Sequence, residues 1–316
     1  MNKVIKKIPI PIAGLMLALA ATGNLVLSYG NIYRNIFGLI SIMILGALTI
    51  KVSAQPESFT EAFENPVIAS VSPTFSMGLM ILSTYIRTYL PSIALGVWIL
   101  GLLIHICLML HFTKKYLLKF NIKKVFPSYF VVYVGIVVGS VTAPVYGFTS
   151  LGQLIFWFGF ISYLVLLPLV LYRVFIIKEI PEAALPTMVI FAAPASLCLA
   201  GYLNAFSEKN MMMIVFLASL ALLMLFFVLL YMPKILKLKF YPSYSAFTFP
   251  FVISGIAMKG TNNLLMNNGK EIEMLNYLVK FLEFWSILMV LYVLIRYAFF
   301  IIAPKKEIAT PVTTEN

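Results

Sequence analysis

The sequence predicts an all-α integral membrane protein with ten transmembrane helices. Three observations lead there. Of 316 residues, 62% are hydrophobic and 11% charged, whereas a soluble domain carries charge on about a quarter of its residues. Mean hydropathy is +0.99. The apolar residues also fall into runs of about 20, the length that crosses a hydrocarbon core of about 30 Å, joined by short polar stretches. So little chain lies between the runs that no soluble catalytic domain fits.

The first span, at about 9 to 28, follows the basic start MNKVIKK. Its apolar run is long and lacks a small-residue cleavage site before the next apolar segment, so it reads as a retained span rather than a removed leader. The second to fifth spans fall at about 32 to 52, 67 to 87, 91 to 112 and 127 to 146. The sixth to tenth fall at about 151 to 176, 183 to 204, 211 to 232, 244 to 265 and 275 to 302, each an apolar run bounded by charged or turn residues. Residues 1–304 thus form one membrane domain, and 305–316 a short polar tail.

Charge sets the expected orientation. With an even number of spans both termini lie on one side, and 17 of the 23 lysines and arginines then fall there, against six on the other: Arg34, Arg87, Lys209, Lys259, Lys270 and Lys280. Basic joints mark the cytoplasmic side, so both ends are expected inside, in the cell membrane. The same bias accounts for most of the +12 net charge without a nucleic-acid partner. A nucleic-acid surface needs its cations gathered on one folded face with aromatic platforms. Here they sit in joints of a few residues.

Prolines then separate odd spans from even ones. Pro11, Pro73, Pro144, Pro194 and Pro250 lie in odd spans, whereas the even spans have one clear internal proline, Pro168. SPTFSMG (72–78), APASLCLAG (193–201) and FPFVISG (249–255) share a proline a few residues before a serine and a glycine, a weak repeat of helical hairpins. Five hairpins would run all odd helices in one direction. Irregular backbone at membrane depth is tolerated when packed in protein or lining a wet cavity, so the five prolines, with Gly14 in the first span, are expected to line a central pathway.

Ionisable chemistry is sparse. No carboxylate, histidine or cation is expected at depth in the odd spans, which offer hydroxyls and occasional amides such as Asn24 and Asn204. A catalytic site needs a positioned acid, base or nucleophile, and none is seen, so the chain is read as no enzyme. His105 and His111 are six residues apart, off one helical face, and no metal or other cofactor is expected. Cys107 and Cys198 read as small buried hydrophobes, and Glu283 as an interfacial residue beside Lys280 and Trp285.

IPIAGLMLALAATGNL in the first span, ENPVIASVSPTFSMGLMILSTYI at the third and YPSYSAFTFPFVISGIAM at the ninth resemble the tellurite-resistance/dicarboxylate transporter family, which includes bacterial TehA and the plant slow anion channels. The resemblance implies five hairpins in quasi-fivefold arrangement, odd helices around a pore and even helices outside. It implies a phenylalanine of the ninth helix closing that pore, carried here to Phe249, immediately before the proline. Phe247 and Phe251, two positions away, point to other faces. It further implies a homo-oligomer, often a trimer, with one pore per subunit, and passive conduction of small inorganic anions. The alternative is a secondary carrier of C4-dicarboxylates or tellurite-like oxyanions. Tyr244 and Ser245 stand where relatives often carry tryptophan.

Overall fold

A computed structural model describes residues 3–303; the expected polar tail lies outside the described residues. Among these, every regular element is helical. Seven helices are each long and apolar enough to cross a membrane: Asn31–Ala54, Pro66–Ile86, Pro91–Leu117, Thr149–Ile177, Glu182–Ala205, Met211–Ile235 and Glu273–Ile302. The expected first, fifth and ninth spans carry shorter or interrupted helices. These are Ile10–Leu25, then Tyr129–Tyr133 followed by Val137–Tyr146, and Phe249–Asn267 after the turn Pro242–Phe247.

Local chemistry starts several of these helices. Asn65 caps the third segment, its Oδ1 accepting from the Val67 and Ile68 amides at 2.9 and 3.2 Å, and Pro66 occupies the first turn, where no amide is needed. Asn210 caps the eighth in the same way, and Pro91 opens the fourth.

The segments close into a ring. The first packs on the third, the third on the fifth, the fifth on the seventh, the seventh on the ninth, and the ninth on the first. Each even segment packs outside its odd partner. The third and seventh are buried along most of their length, whereas the even helices expose large apolar side chains such as Leu39, Leu103, Val165 and Leu230. Apolar exposure of this kind suits lipid and not water. Because every hairpin returns the chain, all odd segments begin on the side that holds both ends of the described chain, here the terminal side, and finish on the far side.

Four odd segments change helical type or are interrupted at a proline. The α-helices Ala13–Leu25 and Thr74–Ile86 begin just after Pro11 and Pro73. Ala193–Ala205 and Phe249–Asn267 hold Pro194 and Pro250 in their first turn, each following a 3-10 stretch. Proline there costs little, since the first-turn amides have no intrahelical partner. Pro194 and Pro250 therefore begin α-helices rather than kink them, whereas Pro73 marks an internal break between two α-helical pieces of the third segment.

The fifth segment departs from the expectation. Its interruption lies at Val134–Ile136, between Tyr129–Tyr133 and Val137–Thr142, while Pro144 sits beyond, in the 3-10 turn Ala143–Tyr146 at the far side. Gly135 makes the break. A Cβ there would lie 2.2 Å from the Val131 carbonyl oxygen and 2.8 Å from Met77 Sδ, so only glycine fits the approach.

The motif serines hold the breaks together instead of facing an open lumen. Ser76 donates to the Pro73 carbonyl at 2.7 Å and Ser196 to Ala192 at 2.9 Å, and Ser254 donates to Pro250 at 2.8 Å. Ser196 and Ser254 lie 3.0 Å apart, which joins the seventh and ninth segments. His105 is fully buried between three segments, its Nε2 donating to the Val132 carbonyl at 3.1 Å and its Nδ1 2.9 Å from the Ser76 hydroxyl. It is an interhelical bridge. Cys198 is buried, but Cys107 is exposed on the outer fourth helix.

Lys259 lies toward the far end of the ninth segment, on the side to which the charge count assigned it. It lies inside the ninth helix and its Nζ reaches Glu283 Oε1 at 2.6 Å, Ser28 Oγ at 2.7 Å and the Leu25 carbonyl at 2.9 Å. Tyr29 donates to the other Glu283 oxygen at 2.6 Å. Glu283, itself buried, is thus paired with Lys259 beside the exposed Ser28 and Tyr29 at the far end of the segments, and not with Lys280. Three ammonium protons on three acceptors leave the cation fully coordinated, which is how a charge is accommodated inside a membrane protein.

Candidate functional site

Three cavities follow one another along the ring. On the terminal side, one of about 330 Å³ is walled by the segment starts, with Pro11, Asn65, Val71, Phe126, Pro181 and Pro242 among its lining. In the middle lies a narrow, almost wholly apolar space of about 50 Å³, bounded by Gly14, Thr74, Gly135, Pro194, Phe249 and Pro250. On the far side a vestibule of about 420 Å³ is lined by the segment ends, including Asn24, Thr84, Arg87 and Asn204. Val71 belongs to both the terminal-side and middle linings, and Leu197 and Phe249 to both the middle and far ones. Those side chains border two spaces at once, and the boundaries they mark are the terminal and far partitions.

The geometry at the far partition follows from the turn before it. Residues 242–247 form a 3-10 stretch, Thr248 leaves helical geometry at φ −109° and ψ −80°, and the α-helix begins at Phe249. The Thr248 hydroxyl donates to the Ser245 carbonyl at 2.6 Å and to that of Gly14 at 3.4 Å, tying this turn to the first segment. Gly14 permits the approach, since a Cβ there would stand 3.0 Å from that of Ser245.

The three neighbouring phenylalanines have different surroundings. Phe247 is fully buried with its ring 4.6 Å from that of Tyr244, and Phe251 is fully buried 6.0 Å from Trp285. Phe249 lines two cavities and pairs with no other aromatic ring among the described residues. Of the helix-break candidates, Gly14, Pro194 and Pro250 meet in the middle cavity, and Pro11 lines the terminal-side one. Pro73 and Pro144 line none of the three.

Sequence reading placed Arg34 and Arg87 at span ends on the non-cytoplasmic side and gave them no part in the lumen; both line the far vestibule. Arg34 is oriented, with Nε donating to Asn24 Oδ1 at 2.9 Å, Nη2 donating to the Thr84 carbonyl at 3.2 Å, and the guanidinium 4.1 Å from the Tyr85 ring centre. Arg87 stands 5.9 Å from the Tyr146 ring. Among the described residues neither makes an ion pair, and no acidic residue lines any of the three cavities. Two cations without a counter-carboxylate, facing a roomy aqueous-sized space, give that space a positive potential. The available signal was their position: Arg34 opens the second span and Arg87 ends the third without an acid nearby in sequence.

What this arrangement can do is bounded by its chemistry. The path has hydroxyls, amides and guanidinium groups but no carboxylate, and among the described residues no group of histidine, cysteine and acidic side chains is spaced to hold a metal. Its far vestibule can attract small anions. The path offers no base or nucleophile at the partition. No curated protein matches the chain. The family model described as voltage-dependent anion channel, SLAC1, matches residues 9–302, nearly the whole described fold. The chain belongs to the voltage-dependent anion channel family.

Proposed function

We propose that the protein is a passive channel for small monovalent anions, with one pathway per subunit closed at rest by the Phe249 ring. The observation that carries this reading is the series of three cavities whose far partition is Phe249 with Leu197. An apolar ring across a space of about 50 Å³ excludes a hydrated ion, because the ion cannot shed water without a replacement partner. Displacement of that one side chain joins the middle cavity to the vestibule. Arg34 and Arg87 raise the local anion concentration without a tight site, and conduction needs weak binding.

In this reading both termini face the cytoplasm of a cell membrane and the chain assembles as a homo-oligomer, each copy with its own pore. Reconstitution in liposomes tests the function. Chloride or nitrate flux that follows its own gradient and ignores a proton gradient supports a channel. Flux of a dicarboxylate or oxyanion that requires a proton or sodium gradient would instead make the chain a carrier.

A further inference from the structure

The sixth and eighth segments both run from the far side to the terminal side, so their last turns meet at one membrane face. Between them lies a cleft of about 300 Å³ that shares no lining residue with the axial cavities. Its lining is mostly apolar and aromatic, with Phe175, Leu185, Met188, Phe227 and Tyr231. Phe175 and Phe227 meet edge to face at 5.5 Å, and beside them Ile176 and Leu230 are exposed on the outer, lipid-facing surface. The mouth is basic. Lys178 and Lys234 line it and make no ion pair among the described residues, while Glu179, also in the lining, is matched by Lys123 at 3.0 Å.

The mouth is also built. Arg173 is 1% exposed, and its guanidinium donates to the carbonyls of Lys178, of Glu179 at 3.1 Å and of Lys123 at 3.2 Å. This clamp holds Lys178 and Glu179 at φ 60° and 48°, a left-handed conformation that side-chain-bearing residues rarely adopt. Lys234 lies 5.4 Å from the Tyr231 ring, at the end of the facing helix. A buried cation fixing a strained turn beside an apolar cleft presents one lysine ammonium group, and the facing helix end brings a second.

We propose that this cleft binds one anionic phospholipid, its phosphate between Lys178 and Lys234 and the start of an acyl chain over Phe227 and Met188. Three features select that occupant. The cleft is lined by Phe175, exposed on the outer surface, and by no residue of the axial cavities. Its mouth carries an excess of positive charge at the membrane face where basic residues gather. Its apolar lining would go uncovered by a free phosphate. Basic pockets between membrane helices bind anionic headgroups for the same reasons.

The test uses the full chain purified in neutral detergent, with lipid retention read by native mass spectrometry and lipid-dependent melting as a second readout. Phosphatidylglycerol should be retained in preference to phosphatidylcholine. Lys178→Gln and Lys234→Gln should each weaken phosphatidylglycerol binding about fivefold, and the pair about thirtyfold. Lys→Arg at both positions should keep it, and the matched pair Lys6→Gln/Lys114→Gln, exposed lysines on the same face, should not change it. Equal retention of the two lipids, equal loss in the matched pair, or full protection by soluble glycerol phosphate would each overturn the proposal.

Discussion

Replacing Gly135 with alanine asks whether the ring is shaped by its prolines alone. The new Cβ would lie 2.2 Å from the Val131 carbonyl oxygen, 2.8 Å from Met77 Sδ and 3.2 Å from His105 Cε1. The methionine can turn away, but the carbonyl belongs to the backbone of the break, which must move by about 1 Å to reach ordinary contact distance. Forcing a methyl into a packed interior costs about 1–3 kcal/mol. The reduced freedom of the unfolded chain returns about 0.4–1 kcal/mol. The net loss is about 1–2 kcal/mol, or a fall of roughly 2–8 °C in apparent melting temperature. Tryptophan fluorescence or dye-based melting in detergent reads it. Gly96→Ala, on the outer fourth helix with nothing within 4 Å of the new methyl, should leave stability unchanged or slightly raised. Pro144→Ala, beyond the break, should cost less than Gly135→Ala. If Pro144→Ala proved the more damaging and Gly135→Ala harmless, the placement of the fifth break would be wrong.

Two further predictions concern charge. Arg87→Gln should lower anion flux that starts from the far side and weaken anion-over-cation preference by roughly twofold to fivefold, with a larger effect at low salt, since screening at about 0.15 M acts over about 8 Å; an effect independent of ionic strength would contradict a steering role. Glu283→Leu should destabilise by about 1–3 kcal/mol, below the figure for a fully buried pair because the Lys259 side chain is 23% exposed. Adding Lys259→Met should recover part of that loss, and a double variant worse than the single one would remove the ion pair from the account.

Hydropathy and proline placement carried the helical class, the division into inner and outer segments and the common direction of the odd ones. Both are local signals, readable one segment at a time. Gly135 escaped because YVGIVV reads as an ordinary apolar stretch, and only contact with Met77 and Val131 shows why a side chain is excluded. Pro144 drew attention by residue type, yet its neighbours place it in a terminal turn. Lys259 was assigned to the outer side by counting charges and lies at that end, but its partner Glu283 is 24 residues on in sequence and no local signal joins the two. Arg34 and Arg87 are flank residues in a linear map, and only closure of the ring turns their flanks into a vestibule wall.

The central claim is that one aromatic side chain separates the middle cavity from the far vestibule. Chloride flux from liposomes holding matched amounts of native protein, Phe249→Ala and Phe247→Ala measures it most directly. The account expects Phe249→Ala to conduct at least severalfold more than native with little loss of stability, because that ring borders open space on two sides. Phe247→Ala, fully buried against Tyr244, should lose about 3–5 kcal/mol of stability and gain no flux. Native-level flux from inserted Phe249→Ala, or equal flux from the two variants, would contradict it.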